Sequence, residues 1–184
     1  MPARPLGDGT VALRAWLPGD AEAVAVACRD PLIARFTSVA SSYSADDARL
    51  WLAAQTARIS SGELAPFAIT VPPEESAVGS VSLQRFAWAH RRGEVGYWLG
   101  APARGRGLAT RAVNAVAAWG FAALELERLD LLADVANRPS QRVAELAGFT
   151  REGILRSFLI GPLGRYDAIM YSRLPTDTGA AGGR

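Results

Sequence analysis

Hydrophobic and polar positions follow two rhythms along this chain, and the rhythm changes at residue 64. Val11 and Leu13 alternate with more permissive positions over residues 9–16, ahead of Pro18-Gly19, which predicts a first strand. Asp20 stands where a cap belongs, and the alanine-rich run from Ala21 to Arg29 predicts a helix. Asp30-Pro31 should end it, because a residue before proline avoids the helical region, and an irregular piece is expected on to Tyr43. Ser44-Ala45-Asp46-Asp47 then offers a hydroxyl cap and first-turn acids for a helix reaching about Ser61-Gly62, with Leu50, Ala54 and Ala57 along one side.

From Leu64 the period becomes two. Runs at 64–71, 78–88 and 93–99, separated by Pro72-Pro73-Glu74-Glu75-Ser76 and by His90-Arg91-Arg92, predict an antiparallel meander. Leu108, Ala112, Ala115, Val116 and Trp119 then fall on one helical face between Gly105 and about Leu124. Leu129, Leu131 and Ala133 alternate as a strand, and a helix is expected over 139–147 with Gly148 at its end. Strands at 149–160 and 166–173 follow. This order predicts a mixed sheet with helices against it.

Composition narrows the chemistry. The 184 residues suffice for one domain, and 49% apolar with 21% charged residues is ordinary for a folded soluble protein. All twenty basic residues are arginine, so Schiff-base lysines, lysine-held pyridoxal phosphate and lysine-dependent phosphate loops are excluded. One histidine, His90, and one cysteine, Cys28, cannot build a Cys/His metal site or an intrachain disulfide. No metal is expected. The net charge of +2 is spread without a dense run, which gives no indication of nucleic-acid binding, although arginine forks also suit phosphate. No stretch approaches the roughly 18–20 apolar residues of a membrane span and the first nine residues lack a secretion signal, so a soluble cytoplasmic protein is expected.

Chemistry concentrates between the third strand of the meander and the long helix. In Ala103-Arg104-Gly105-Arg106-Gly107-Leu108-Ala109-Thr110 two glycines free the backbone to close around an anion, and the helix N-terminus adds partial positive charge. A glycine turn that merely feeds the chain into a helix would look the same. A Walker loop is ruled out by the missing lysine, and a dinucleotide fingerprint is disfavoured because Thr110 occupies its third glycine position, behind a meander.

Arg104-Gly105-Arg106-Gly107-Leu108-Ala109 resembles the Arg/Gln-x-x-Gly-x-Gly/Ala signature of the GNAT superfamily of acetyl-CoA-dependent N-acetyltransferases. Gly93-Glu94-Val95-Gly96-Tyr97-Trp98-Leu99, Asn137-Arg138-Pro139-Ser140, Ala144-Glu145-Leu146-Ala147-Gly148-Phe149 and Arg151-Glu152-Gly153 extend the likeness over roughly residues 9–173. They resemble the branch of ribosomal-protein N-terminal alanine acetyltransferases. The resemblance implies an α/β GNAT fold over 9–174, with a mostly antiparallel sheet splayed at the cofactor cleft, helices on both sides, and a disordered tail over 175–184. It further implies acetyl-CoA as co-substrate and a primary amine, on a protein N-terminus or a small molecule, as acceptor. Cofactor contacts are then expected from Trp98, Leu99, Arg104, Gly105, Arg106, Gly107, Leu108, Ala109 and Thr110, and from Asn137 on the far side of the pantetheine.

For direct attack of the amine, Glu94 can serve as general base, through a water, and Ser140 can donate to the leaving sulfur. The bland alternatives are a strand carboxylate paired with Arg91 or Arg92, and capping roles for Asn137 and Ser140. Cys28 reads as a buried structural thiol and His90 as exposed; the tryptophans read mostly as core, with Trp51 or Phe36 candidates for the acceptor side. A non-catalytic acyl-CoA sensor of the same fold, and a nucleotide-binding oxidoreductase, are the other readings. A homodimer through the sheet edge or the last strands is compatible with this organisation.

Overall fold

In a computed structural model, described over residues 2, 4–37, 39, 42–161 and 164–177, the chain forms one eight-stranded sheet flanked by five α-helices. The strands are β1 (Leu6–Gly7), β2 (Ala12–Arg14), β3 (Leu64–Thr70), β4 (Gly79–Ala87), β5 (Arg92–Leu99), β6 (Arg128–Asp134), β7 (Thr150–Gly161) and β8 (Gly164–Arg173). The helices are α1 (Ala21–Cys28), α2 (Pro31–Phe36), α3 (Ala45–Ser60), α4 (Leu108–Ala123) and α5 (Arg138–Leu146). Strand order is β1-β2-β3-β4-β5-β6-β8-β7. Every neighbouring pair is antiparallel except β5 and β6, which α4 joins as a parallel crossover.

Alternation along the strands sorts side chains to two cores. Val95 and Leu99 of β5 join Val81, Leu83, Leu129 and Leu131 against the inner stripe of α4, which includes Leu108, Ala112 and Val116. Gly120 brings α4 close to the sheet, since a Cβ there would lie 2.7 Å from Leu83 Cδ1. Trp98, of opposite parity, belongs to a second cluster with Val24, Ala25 and Cys28 of α1, Ile33 of α2 and Ala48 of α3. β3 is buried along its whole length.

The meander, the α4 stripe and the later strands lie where the residue pattern predicts them. Four expectations change. The sheet begins at Leu6–Gly7, ahead of the expected boundary at residue 9, because that short strand pairs with β2. Asp20 does not cap α1; its buried carboxylate instead closes the preceding 3-10 turn at Pro18–Asp20, accepting from the Leu17 N–H and from both terminal nitrogens of Arg14, each at 2.8 Å. Asp30-Pro31 ends one helix and starts another, since Asp30 caps α2 through the Leu32 N–H and proline suits a first helical turn. Helix α3 opens on the expected Ser44 hydroxyl cap, completed by Asp47 into a capping box, but turns a different face inward. Leu50 is 71% exposed, while Ala48 and Gln55 are buried with Trp51 and Leu52 beside them. The packing of Trp51 on Trp16 outweighs a stripe of small alanines. Of the expected disordered tail, residues 178–184 lie outside the described residues; within 175–177, Asp177 accepts from the Leu174 N–H.

An ionic knot ties β6 to its neighbours. Arg128 forks onto Glu152 at 2.8 and 2.6 Å and reaches Asp130 at 2.7 Å, and the Ser172 hydroxyl donates to Glu152. Arg128 first, and Ser172 after it, hold the Glu152 carboxyl at about 2, below its usual 4.5. A depressed folded-state pKa stabilises above the unfolded value and is lost as pH falls through the folded one. The stability advantage of the parent over Glu152→Gln, about 1 kcal/mol for so exposed a pair, should therefore hold at neutral pH and fade as pH drops from 4.5 towards 2 in denaturant titrations.

Candidate active site

Strands β5 and β6 pair only at Arg92 with Arg128, Gly93 with Leu129 and Glu94 with Asp130. Beyond Glu94 they part. Val95–Leu99 keeps β4 on one edge, residues 131–134 of β6 keep β8 on theirs, and between them two edges of backbone N–H and C=O groups face a gap. The last β5–β6 pair joins two acidic residues, Glu94 and Asp130, at the closed end of this fork.

The open end carries the glycine loop. Gly105 and Gly107 adopt φ of +73° and +74°, and a Cβ on either would meet nothing within 4 Å, so the loop is bare on its outer surface. Arg111 is the first residue of α4 to bond back, to the Gly107 carbonyl, which leaves the amides of Leu108, Ala109 and Thr110 at the helix mouth. The buried side chains of Leu108 and Ala109 anchor that mouth. Arg106 is exposed beside it. Arg104 is a strut: its Nε donates to the Leu99 carbonyl at 3.0 Å and its guanidinium pairs with Asp30 at 2.8 Å, tying the loop to the α1–α2 junction. An open cavity of about 720 Å³, lined by Gly7, Asp8, Gly107, Thr110, Arg111 and Asn114 among others, adjoins the loop.

Trp98 and Leu99 offer backbone to the gap, while their side chains are committed to the two cores, Trp98 stacking on Trp16 with ring centroids 6.3 Å apart. Across the gap α5 begins. Asn137 caps it by accepting the Ser140 N–H at 3.2 Å, and buried Gln141 donates to the Asp134 and Val135 carbonyls, which seats the helix against the end of β6.

Glu94 is 15% exposed and lies on the Trp98 face of the sheet. Its partners are Arg85, 3.2 Å from both carboxylate oxygens, and the Gln84 amide at 3.3 Å; the alternative pairing with Arg91 or Arg92 is not formed. Arg91 bonds Glu127 instead, and Arg92 lies 3.5 Å from Asp130. Gln84 and Arg85 are consecutive and would diverge on a regular strand. A bulge between Gln84 and Ala87, with Arg85 at φ +50°, brings both to one carboxylate.

Ser140 finds its partner on β5. The Tyr97 hydroxyl lies 2.8 Å from Ser140 Oγ, and burial, partly offset by this bond, pushes the phenol up to about 12. Tyr97 is the residue that motif reading missed. Strand parity could have found it, because it is one step out of phase with Glu94, Gly96 and Trp98 and so faces α5.

The remaining candidates settle quietly. Cys28 is buried and its thiol is pushed up to about 11 by desolvation, which leaves it a poor nucleophile. His90 is exposed. Trp88 departs from the expected core role, being 48% exposed and stacked on Phe86. Among the described residues no group of three acids, histidines or cysteines could hold a metal ion.

A family model described as the acetyltransferase (GNAT) domain matches residues 10–150. The chain belongs to this family. Among GNAT proteins it is 34% identical over 99 residues to YdaF of Bacillus subtilis, provisionally named a ribosomal N-acetyltransferase, covering 54% of each chain. It is also 34% identical over 83 residues to the spermidine N(1)-acetyltransferase of Escherichia coli, covering 45% of each. The chain thus spans about half the length of these curated relatives. The structure of Mycobacterium smegmatis RimJ, in complex with CoA-disulfide, superposes with a TM-score of 0.83 at 23% identity over 93% of this chain and 86% of that one. This GNAT fold, with its forked, mostly antiparallel sheet and helices on both faces, is the architecture expected from the sequence.

Proposed function

We propose that the protein transfers the acetyl group of acetyl-CoA to a primary amine by direct attack. The observation that carries the reading is the fork, whose unpaired edges lead from Glu94 to a bare glycine loop at a helix N-terminus. The amide groups of a pantetheine arm can pair with the edge at Gly96–Leu99 as an added strand would, and a diphosphate fits the amides around Gly107–Thr110. The adjoining cavity has room for the nucleotide end. Acetyl-CoA supplies the activated thioester.

The chain's own residues divide the proton work between the two faces of the sheet. Glu94, oriented by Arg85 and Gln84, takes the proton of the incoming amine, directly or through a water. Ser140, on the α5 side, donates a hydrogen bond to the departing sulfur while Asn137 fixes its helical turn. An α-amine, with a pKa of about 8 against about 10.4 for lysine, makes the lighter demand on such a base. That favours a protein N-terminus as acceptor; a polyamine, whose amines are as basic as lysine, is the second class, suggested by the name of one relative. We assign the protein to the cytoplasm, where a lone buried thiol such as Cys28 needs no oxidising partner; among the described residues no helix is long and apolar enough to cross a membrane.

The test is thiol release from acetyl-CoA against a panel of peptides with free N-termini, free amino acids and polyamines. Release with at least one acceptor class is expected. Tight acetyl-CoA binding without release to any amine would replace the enzyme by a sensor, and affinity for NADH alone would defeat both.

A further inference from the structure

We infer that Tyr97 is a positioning residue for the transfer step, fixing the Ser140 hydroxyl so that its proton points at the leaving sulfur. The inference rests on the reading of Ser140 given above and extends it to the side chain of Tyr97, whose backbone belongs to the edge offered to the pantetheine and whose hydroxyl meets Ser140. Tyr97 lies on β5 three residues past the last β5–β6 pair, and Ser140 lies in the first turn of α5, so their 2.8 Å contact spans the gap between the two walls of the cleft. The same phenol is 3.5 Å from the Ser140 carbonyl. Two hydroxyls facing each other must divide the roles of donor and acceptor. The phenol is much the more acidic, so it donates, and Ser140 Oγ accepts.

That division has a consequence for the serine. With one lone pair taken by Tyr97 and its backbone N–H taken by Asn137, Ser140 keeps its own O–H free to rotate towards a third atom. The neighbouring space is the fork. A serine in a first helical turn otherwise turns its hydroxyl to nearby backbone, which would withdraw the proton from the sulfur. Because burial holds the phenol protonated well above neutral pH, Tyr97 remains a donor throughout the working range. When the C–S bond breaks and its electron pair passes to sulfur, the Ser140 O–H meets the developing thiolate and Tyr97 keeps its proton.

The experiment is a double-mutant cycle with Tyr97→Phe and Ser140→Ala, which keep the ring and the helical turn. Thiol release and acetyl-CoA affinity are measured on each full-length protein. We expect Ser140→Ala to lower kcat roughly a hundredfold and Tyr97→Phe roughly tenfold, both with acetyl-CoA affinity unchanged. The double variant should be no slower than Ser140→Ala alone, since Tyr97 acts only through that hydroxyl. A full-rate Tyr97→Phe enzyme, losses that multiply, or a loss appearing only in KM would overturn the inference and leave the role of Ser140 standing. A full-rate Ser140→Ala enzyme would overturn both.

Discussion

Replacing Gly107 by valine is expected to abolish acetyl-CoA binding while leaving the fold in place. Gly107 is the N-cap residue of α4 at φ +74°, where a β-branched residue costs about 1–2 kcal/mol in the backbone. A Cβ there meets no protein atom within 4 Å, so the new side chain enters open space in front of the helix mouth. Under the proposed function, that space is where the diphosphate comes within hydrogen-bond distance of the Leu108, Ala109 and Thr110 amides. Losing those contacts should weaken binding by at least about a hundredfold, or roughly 3 kcal/mol, in calorimetric titration. The melting temperature should fall by only a few degrees, about 2–4 °C per kcal/mol for a chain of this size. Unchanged affinity would remove the glycine loop from the cofactor site.

Glu94→Gln should have the opposite signature: intact acetyl-CoA binding and a kcat lower by about 10²–10⁴-fold. Glutamine keeps the shape of the side chain and its place between Gln84 and Arg85 but cannot take a proton. The deficit should narrow as pH rises past the acceptor's own pKa, about 8 for an α-amine, because a neutral amine needs less help. A steady-state pH series on the parent and the variant reads this directly. A rate within twofold of the parent across the series would leave Glu94 a structural carboxylate.

The periodicity revealed most of the scaffold because the residues that set it act locally. Leu108, Ala112, Val116 and Trp119 need only a 3.6-residue repeat to show the inner side of α4, and Leu129, Leu131 and Ala133 need only alternation. Helix α3 shows where local signals stop. Its ends follow from Ser44 and Asp47, but its buried face is decided by Trp16 and Trp51 meeting from distant parts of the chain. The site divides in the same way. The glycine loop is legible because it is contiguous, and the Asn137–Ser140 turn because capping needs only three residues. Arg85 reaches Glu94 through a bulge that nothing in Gln84-Arg85-Phe86 announces, and Arg104 is drawn to Asp30, 74 positions away in sequence. Such pairings exist only once the sheet has closed.

Placing the carboxylate on one side of the sheet and the hydroxyl pair on the other has a corollary. The layer containing α1 and α3 borders the Glu94 side, whereas α4 and α5 border the side that holds Tyr97 and Ser140. Under the proposed mechanism, substitutions in the first layer would reshape the side that receives the amine while leaving untouched the hydroxyl pair that meets the carrier's sulfur.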